Sequence, residues 1–119
     1  MKSINFIDNV NLLGGEITYD DFDINTNVPL LQQIGSLQED MLQIKYGKRF
    51  ILDVGWRPDL DPNGYFLVLV ILDTDWLNPV FATKCHTLAE LKTVLESAAA
   101  LIHEKLKIND LPYRDVEYE

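Results

Sequence analysis

The segment Tyr65–Leu72, YFLVLVIL, sets eight apolar residues in a row. It is far short of the ~20 residues that cross a bilayer as a helix. Rich in β-branched residues and apolar on both alternating faces, it demands a strand covered on both sides and paired along both edges. Its neighbours supply the partners. Residues 49–56 alternate, with Phe50, Leu52, Val54 and Trp56 on one face and Ile51, Asp53 and Gly55 on the other. That is the pattern of a half-buried strand. Residues 80–84 read as a third strand. Three strands in chain order form an antiparallel meander, which puts the all-apolar one in the middle.

Helical signals flank this sheet. Pro29 suits a first turn and Gly47 an end, and Leu30, Ile34, Leu37, Met41 and Ile44 recur at helical spacing, so a helix is predicted over residues 29–46. A second begins at Thr87-Leu88-Ala89-Glu90, a capping box in which hydroxyl and carboxylate each satisfy an open backbone donor. Its stripe of Leu88, Leu91, Leu95, Ala98, Ile102 and Leu106 runs to about residue 107, where Lys105 and Lys107 suit the helix dipole. Residues 1–27 are irregular, with a turn at Gly14-Gly15 and a strand-and-loop or hairpin reading for EITYDDFDINTN. The tail NDLPYRDVEYE is extended or loosely docked. The expectation is one α+β domain over residues 1–119. Its core is α-β-β-β-α, an antiparallel meander of three or more strands packed by two main helices.

With 47% apolar and 24% charged residues, the chain has the composition of a globular domain that needs no staples. The N-terminal MKSINFIDNVNLL lacks the features of a secretory signal, and the single Cys85 suits a reducing compartment, so a cytoplasmic protein is expected. The net charge of −9 repels nucleic acid and anionic membrane and favours a basic protein partner.

RPDLDPNGYF, at 57–66, spells the opening of a calcium loop, with Asp59, Asp61, Asn63 and Gly64 at its first, third, fifth and sixth positions. The twelfth position, which needs a bidentate Glu, is Val70, and both flanks read as strands. Asp-Pro-Asn-Gly is better read as a turn, with Pro62 fixing φ and Gly64 supplying a positive one. It joins two strands and leaves Asp59 and Asp61 exposed at a hairpin tip. Cys85 and His86 are adjacent on a strand and point to opposite faces, which places them badly as a nucleophile–base pair. No ligand spacing indicates a metal and no glycine-rich loop a phosphate, so no cofactor is expected. Trp76, in LDTDWLNP beside Asp73 and Asp75, is an aromatic anchor ringed by carboxylates.

The run from Gly47 to Leu106, GKRFILDVGWRPDLDPNGYFLVLVILDTDWLNPVFATKCHTLAELKTVLESAAALIHEKL, covers about half the chain. It resembles bacterial immunity proteins encoded beside contact-dependent growth-inhibition and other polymorphic toxins: small, acidic, sheet-and-helix proteins without an active site. The resemblance implies a non-enzymatic inhibitor that binds a cognate toxin domain, expected to be a basic nuclease, one to one in the cytoplasm and covers its active site. The candidate toxin-binding residues are Asp20, Asp21, Asp23, Asp59, Asp61, Asp73, Asp75 and Trp76, with Tyr65 as an aromatic contact. The 59–64 tip and the 73–79 loop are expected at opposite ends of the sheet. Two alternatives stay open: an adaptor for another basic protein, and a small enzyme using Cys85 and His86.

Overall fold

The computed structural model describes residues 6–108. Five strands form one antiparallel sheet in chain order: β1 (Glu16–Asp20), β2 (Leu42–Tyr46), β3 (Phe50–Arg57), β4 (Tyr65–Leu72) and β5 (Phe81–Cys85). The helix α1 (Leu88–Ile108) follows, and short 3-10 segments lie at Phe6–Asn9 and Leu30–Ser36. The architecture is α+β. The expected tail conformation and the start of the irregular N-terminal segment fall outside the described residues.

The last three strands form the expected meander. Phe50 pairs with Leu72 through to Arg57 with Tyr65, and Phe66 pairs with Cys85 through to Val70 with Phe81. Two more strands extend it, so β3, not the all-apolar β4, lies in the middle.

The helix expected over 29–46 does not form, which corrects the α-β-β-β-α order: among the described residues the sheet, expected to have three or more strands, has five, and one α-helix rather than two packs on it. Only Leu30–Ser36 is helical, in 3-10 form and broken at Gln33, whose φ of −126° and ψ of 40° are not helical. Gln33 instead binds the preceding loop: its amide donates to the Asn25 and Val28 carbonyls, and its side-chain oxygen accepts from the Asn25 N–H. From Met41 onward the chain is extended. Leu42, Ile44 and Tyr46 point into the core, while Lys45 is exposed, and each pairs in register with β3. The apolar positions of this stretch fit both periods, and the open edge of β3 decided between them. Leaving that edge unpaired in a buried sheet would strand its backbone donors and acceptors.

One face of the sheet carries the core. Leu42, Ile44 and Tyr46 join Phe50, Leu52, Val54 and Trp56, then Phe66, Val68, Val70 and Leu72, all buried. On this face α1 packs across β3, β4 and β5 and buries Leu91, Leu95, Ala98, Ala99 and Ile102 completely. Each of the fully buried leucines and the isoleucine stabilises the fold by about 1.5–3 kcal/mol, and the alanines by less. Leu106, at the end of the expected stripe, is 44% exposed. The helix starts with the expected box: the Glu90 N–H donates to the Thr87 hydroxyl, and the Glu90 carboxylate accepts the His86 N–H. Segments 6–12 and 22–37 complete the cover. Phe6 stacks on Phe22, Phe22 on Phe66, and Phe66 meets Trp56 edge-on, at centroid distances of 5.4, 6.2 and 4.9 Å.

Candidate partner-binding end

The antiparallel register fixes which loops share an end of the sheet. Asp20 lies opposite Leu42, which lies opposite Val54, and Arg57 lies opposite Tyr65. The end of β1, the approach to β2 and the β3–β4 loop therefore meet at one end. Asp20, Asp21, Asp59 and Asp61 gather there. Asp23 follows on the surface between the buried Phe22 and Ile24. The Tyr46–Phe50 turn and the loop bearing Asp73, Asp75 and Trp76 stand at the opposite end, as expected.

Two acidic residues absent from the sequence reading complete the first cluster. Residues 38–41 run beside β3 with an irregular step: the Trp56 N–H donates to the Gln38 carbonyl, and the Met41 N–H donates to Val54. Glu39 and Asp40 are the extra residues between these two bonds and bulge outward, as a β-bulge does. The bulge swings the Glu39 carbonyl over Gly55, where a Cβ would lie 1.8 Å from that oxygen. Only glycine fits beneath it. Arg57 reaches across to the same carbonyl at 2.7 Å and to the Glu39 carboxylate at 3.6 Å.

Between these segments lies an open groove of about 330 Å³, lined by Tyr19, Gly35, Gln38, Glu39, Asp40, Asp59 and Leu60. Tyr19 is 42% exposed, and its hydroxyl is 3.5 Å from the Asp40 carbonyl. Desolvation first, then the Asp21 and Asp40 carboxylates, push the Tyr19 phenol above its ordinary value. The phenol thus remains a neutral hydrogen-bond donor within a negative rim.

Asp59 and Asp61 differ from the expected free tip carboxylates. Asp59 accepts the Glu39 N–H at 2.6 Å, and Asp61 accepts the Asn63 N–H at 2.8 Å. The loop consists of two successive turns, from Pro58 to Asp61 and from Asp61 to Gly64, after a cis Arg57-Pro58 bond. Gly64 does not supply the positive φ; Leu60 does, at 59°. Gly64 is required for space, because a Cβ there would come within 2.5 Å of the Trp56 indole nitrogen. That nitrogen donates to the Asp61 carbonyl at 2.7 Å, so the loop is anchored to the core tryptophan. Both carboxylates face main-chain donors, and Val70 is buried in β4 opposite Leu52. Among the described residues no group of three or more His, Cys, Asp and Glu is placed to hold a metal.

At the far end the expected cluster is divided. Asp73 forms a two-point ion pair with Arg49, at 2.8 Å to Nε and 2.7 Å to Nη2. The pair is largely shielded, with side chains 11% and 17% exposed. Asp75 accepts from the Asn78 amide at 3.2 Å. Trp76 and Leu77 project, 44% and 91% exposed. Tyr65 opens β4 at the acidic end, opposite Arg57, but is half-buried on the sheet face away from the core, with the Lys84 ammonium 4.7 Å from its ring centroid. Of the nine expected contact residues, the structure thus brings together Asp20, Asp21, Asp59 and Asp61, and adds Glu39 and Asp40.

Cys85 is 1% exposed on the core face, while His86 is exposed. Burial first, then the Glu90 carboxylate, raise the Cys85 thiol above its usual value, which disfavours the thiolate a nucleophile needs. Among the described residues no helix is long and apolar enough to cross a membrane. No family model, curated protein or solved structure matches this chain.

Proposed function

We propose that this chain is a non-enzymatic immunity protein, which acts in the cytoplasm by binding a basic toxin domain of the nuclease type one to one and covering its active site. The observation that carries this reading is the acidic end. Asp20, Asp21, Glu39, Asp40, Asp59 and Asp61 converge there from three separate segments, with Arg57 directed at Glu39. A nuclease cleft is built to hold phosphates, and a rim of carboxylates offers its Lys and Arg side chains the same charge. The groove beside Tyr19 has room for such a side chain, with the phenol and main-chain carbonyls as further partners.

The magnitudes are compatible. A standard interface takes ~800 Å² from each partner, and the molecule exposes 6865 Å². One end of the sheet with its loops can supply that eighth. Charge complementarity acts chiefly on the encounter rate, towards ~10⁸–10⁹ M⁻¹s⁻¹ at low salt, and protection additionally needs slow release.

The test is co-expression with the product of the adjacent upstream gene. Rescue of growth, together with a stoichiometric complex, is the expected result; a harmless neighbour or no complex ends the reading. Asp21→Lys with Asp40→Lys should then slow association at least about tenfold and flatten its salt dependence.

A second reading, an adaptor for another basic protein, is favoured by the projecting Trp76 and Leu77 at the opposite end. If Trp76→Ala abolishes complex formation while Asp21→Lys/Asp40→Lys leaves it intact, the contact lies there. For the enzyme alternative, Cys85→Ser with His86→Ala should leave protection intact.

A further inference from the structure

The all-apolar β4 needs cover on both faces, and the described elements supply it on one. Phe66, Val68, Val70 and Leu72 face the core. Tyr65, Leu67, Leu69 and Ile71 alternate with them on the face away from α1. Ile71 is buried, but Tyr65, Leu67 and Leu69 keep part of their surface exposed, as does Ile51 opposite Ile71. Among the described elements, only the Glu39 bulge lies over this face, above Gly55.

The charges around it balance, on a chain of net charge −9. Lys45, Lys84 and the half-buried Arg57 stand against Glu16, Glu39 and Asp40. Glu16 lies opposite Lys45 in the register of β1 with β2, and Arg57 is 3.6 Å from the Glu39 carboxylate. Asp53 is already withdrawn from solvent: it is 5% exposed, and it accepts from the Gln43 amide at 3.0 Å. Covering the centre of the face therefore desolvates no free carboxylate, which is the usual cost of burying a charge.

We infer that this face binds a second copy of the chain, sheet against sheet, about a two-fold axis parallel to β4. An acidic chain repels its own copies wherever its charge is unbalanced. This face is apolar and close to neutral, so copies meet there at the least electrostatic cost. The self-complementarity that such a contact demands is present in the register. Rotation about an axis along β4 sets Leu67 and Leu69 against the same residues of the second copy. It also lays β5 over the second copy's β3, each residue keeping its level along the strands. Gly55, Leu67 and Lys84 share one level. Lys84 is thereby carried over the second copy's Gly55, where the Glu39 bulge stands, and this opposite-charge pair forms twice. Ala82, level with Leu69 and Asp53, is small enough to allow the approach.

The area is sufficient for a modest dimer. Strands β3 and β4 have eight residues each, with the five-residue β2 and β5 beside them. At ~4.8 Å between strands and ~3.3 Å per residue they spread over about 400 Å². Side chains standing on that plane expose more, so two copies together bury on the order of 1,000 Å², the lower limit of a specific interface. Sheets in such contacts pack about 10 Å apart with strands crossing at about −30°. The inference does not rest on the immunity reading, since it needs no partner but the chain itself.

Sedimentation equilibrium of the full chain tests it. The expected result is a monomer–dimer equilibrium with a Kd on the order of 10 µM. Leu69→Lys, with unchanged circular dichroism, should raise that Kd at least about tenfold. Lys84→Glu and Glu39→Lys each set like charges together twice and should each be monomeric at about 50 µM. Both side chains are exposed, so the fold tolerates the exchange. An equal mixture of these two variants restores both opposite-charge pairs and should recover the dimer. A wild-type chain that stays monomeric up to about 1 mM overturns the inference, and the face then belongs to a different protein or to another part of the chain. So does a dimer that Leu69→Lys leaves intact, or a mixture of the charge variants that sediments as monomer.

Discussion

Single residues in this protein are often fixed by what lies within a few ångströms rather than by their own preferences. Tyr46 ends β2 inside the core, and its hydroxyl donates to the Leu12 carbonyl at 2.7 Å. Burial raises its phenol to about 12. The folded state therefore keeps this proton where the unfolded chain, near pH ~10, begins to lose it. Its contribution is complete below pH ~10 and declines as the pH rises towards about 12. Tyr46→Phe should cost about 1 kcal/mol at neutral pH and remove that alkaline component; urea titrations at pH 7 and at higher pH check both. The glycines make a second test. Gly64→Ala drives a Cβ towards Trp56 and the Arg57 carbonyl and should cost about 1–3 kcal/mol. Gly35→Ala meets nothing within 4 Å and has no positive φ. It should be neutral or stabilising by up to about 1 kcal/mol. Equal losses in the two variants, measured by urea denaturation, would contradict the packing argument.

At the scale of elements, the outcome depended on how ambiguous each pattern was. Tyr65–Leu72 had one solution, because eight apolar residues in strand-forming types must be covered and paired. The capping box at 87–90 and the Leu91-Leu95-Ala98-Ile102 stripe also had one, since both the start signal and the period agree with a helix. Residues 29–46 had two. Leu37, Met41 and Ile44 satisfy helical spacing, yet Leu42, Ile44 and Tyr46 alternate, and Gly47, at φ +64°, turns the chain directly into β3. The long-range bonds to β3 outweighed a local helix interrupted by Gly35 and by Gln33. That one misreading also hid Glu39 and Asp40, which a helix would have placed on a solvated face. The alternation before Gly47 was the signal that could have revealed them. The bulge they occupy is held from outside by Asp59. Asp59→Ala should leave the Glu39 N–H without an acceptor and cost about 1–2 kcal/mol. Asp59→Asn, which retains an acceptor, should recover most of the loss in thermal melts.

For the whole molecule, the net charge of −9 is distributed unevenly. Six carboxylates share one end, while Lys45, Arg57 and Lys84 mark the sheet face away from the core. Like charges at one end oppose folding, and they are exposed enough for salt to screen them. Raising sodium chloride from 10 to 300 mM should therefore stabilise the free protein by up to about 1 kcal/mol, read as a higher urea midpoint. Asp21→Lys/Asp40→Lys should reduce that gain. An unchanged salt response in this variant would show that the acidic end carries no strain of its own.

The sequence by itself determined the elements whose patterns admit one reading: the all-apolar β4, its alternating partner β3, the capped helix, the antiparallel meander and the acidic balance. These follow from local periodicity and composition, which need no partner to be interpreted. The tertiary structure alone decided that residues 42–46 extend the sheet, that Glu39 and Asp40 bulge beside Asp20, Asp21 and Asp59, and that Asp73 is held by Arg49. Each depends on a strand edge, a close approach or an ion pair between residues distant in sequence, and such contacts exist only once the chain has closed on itself.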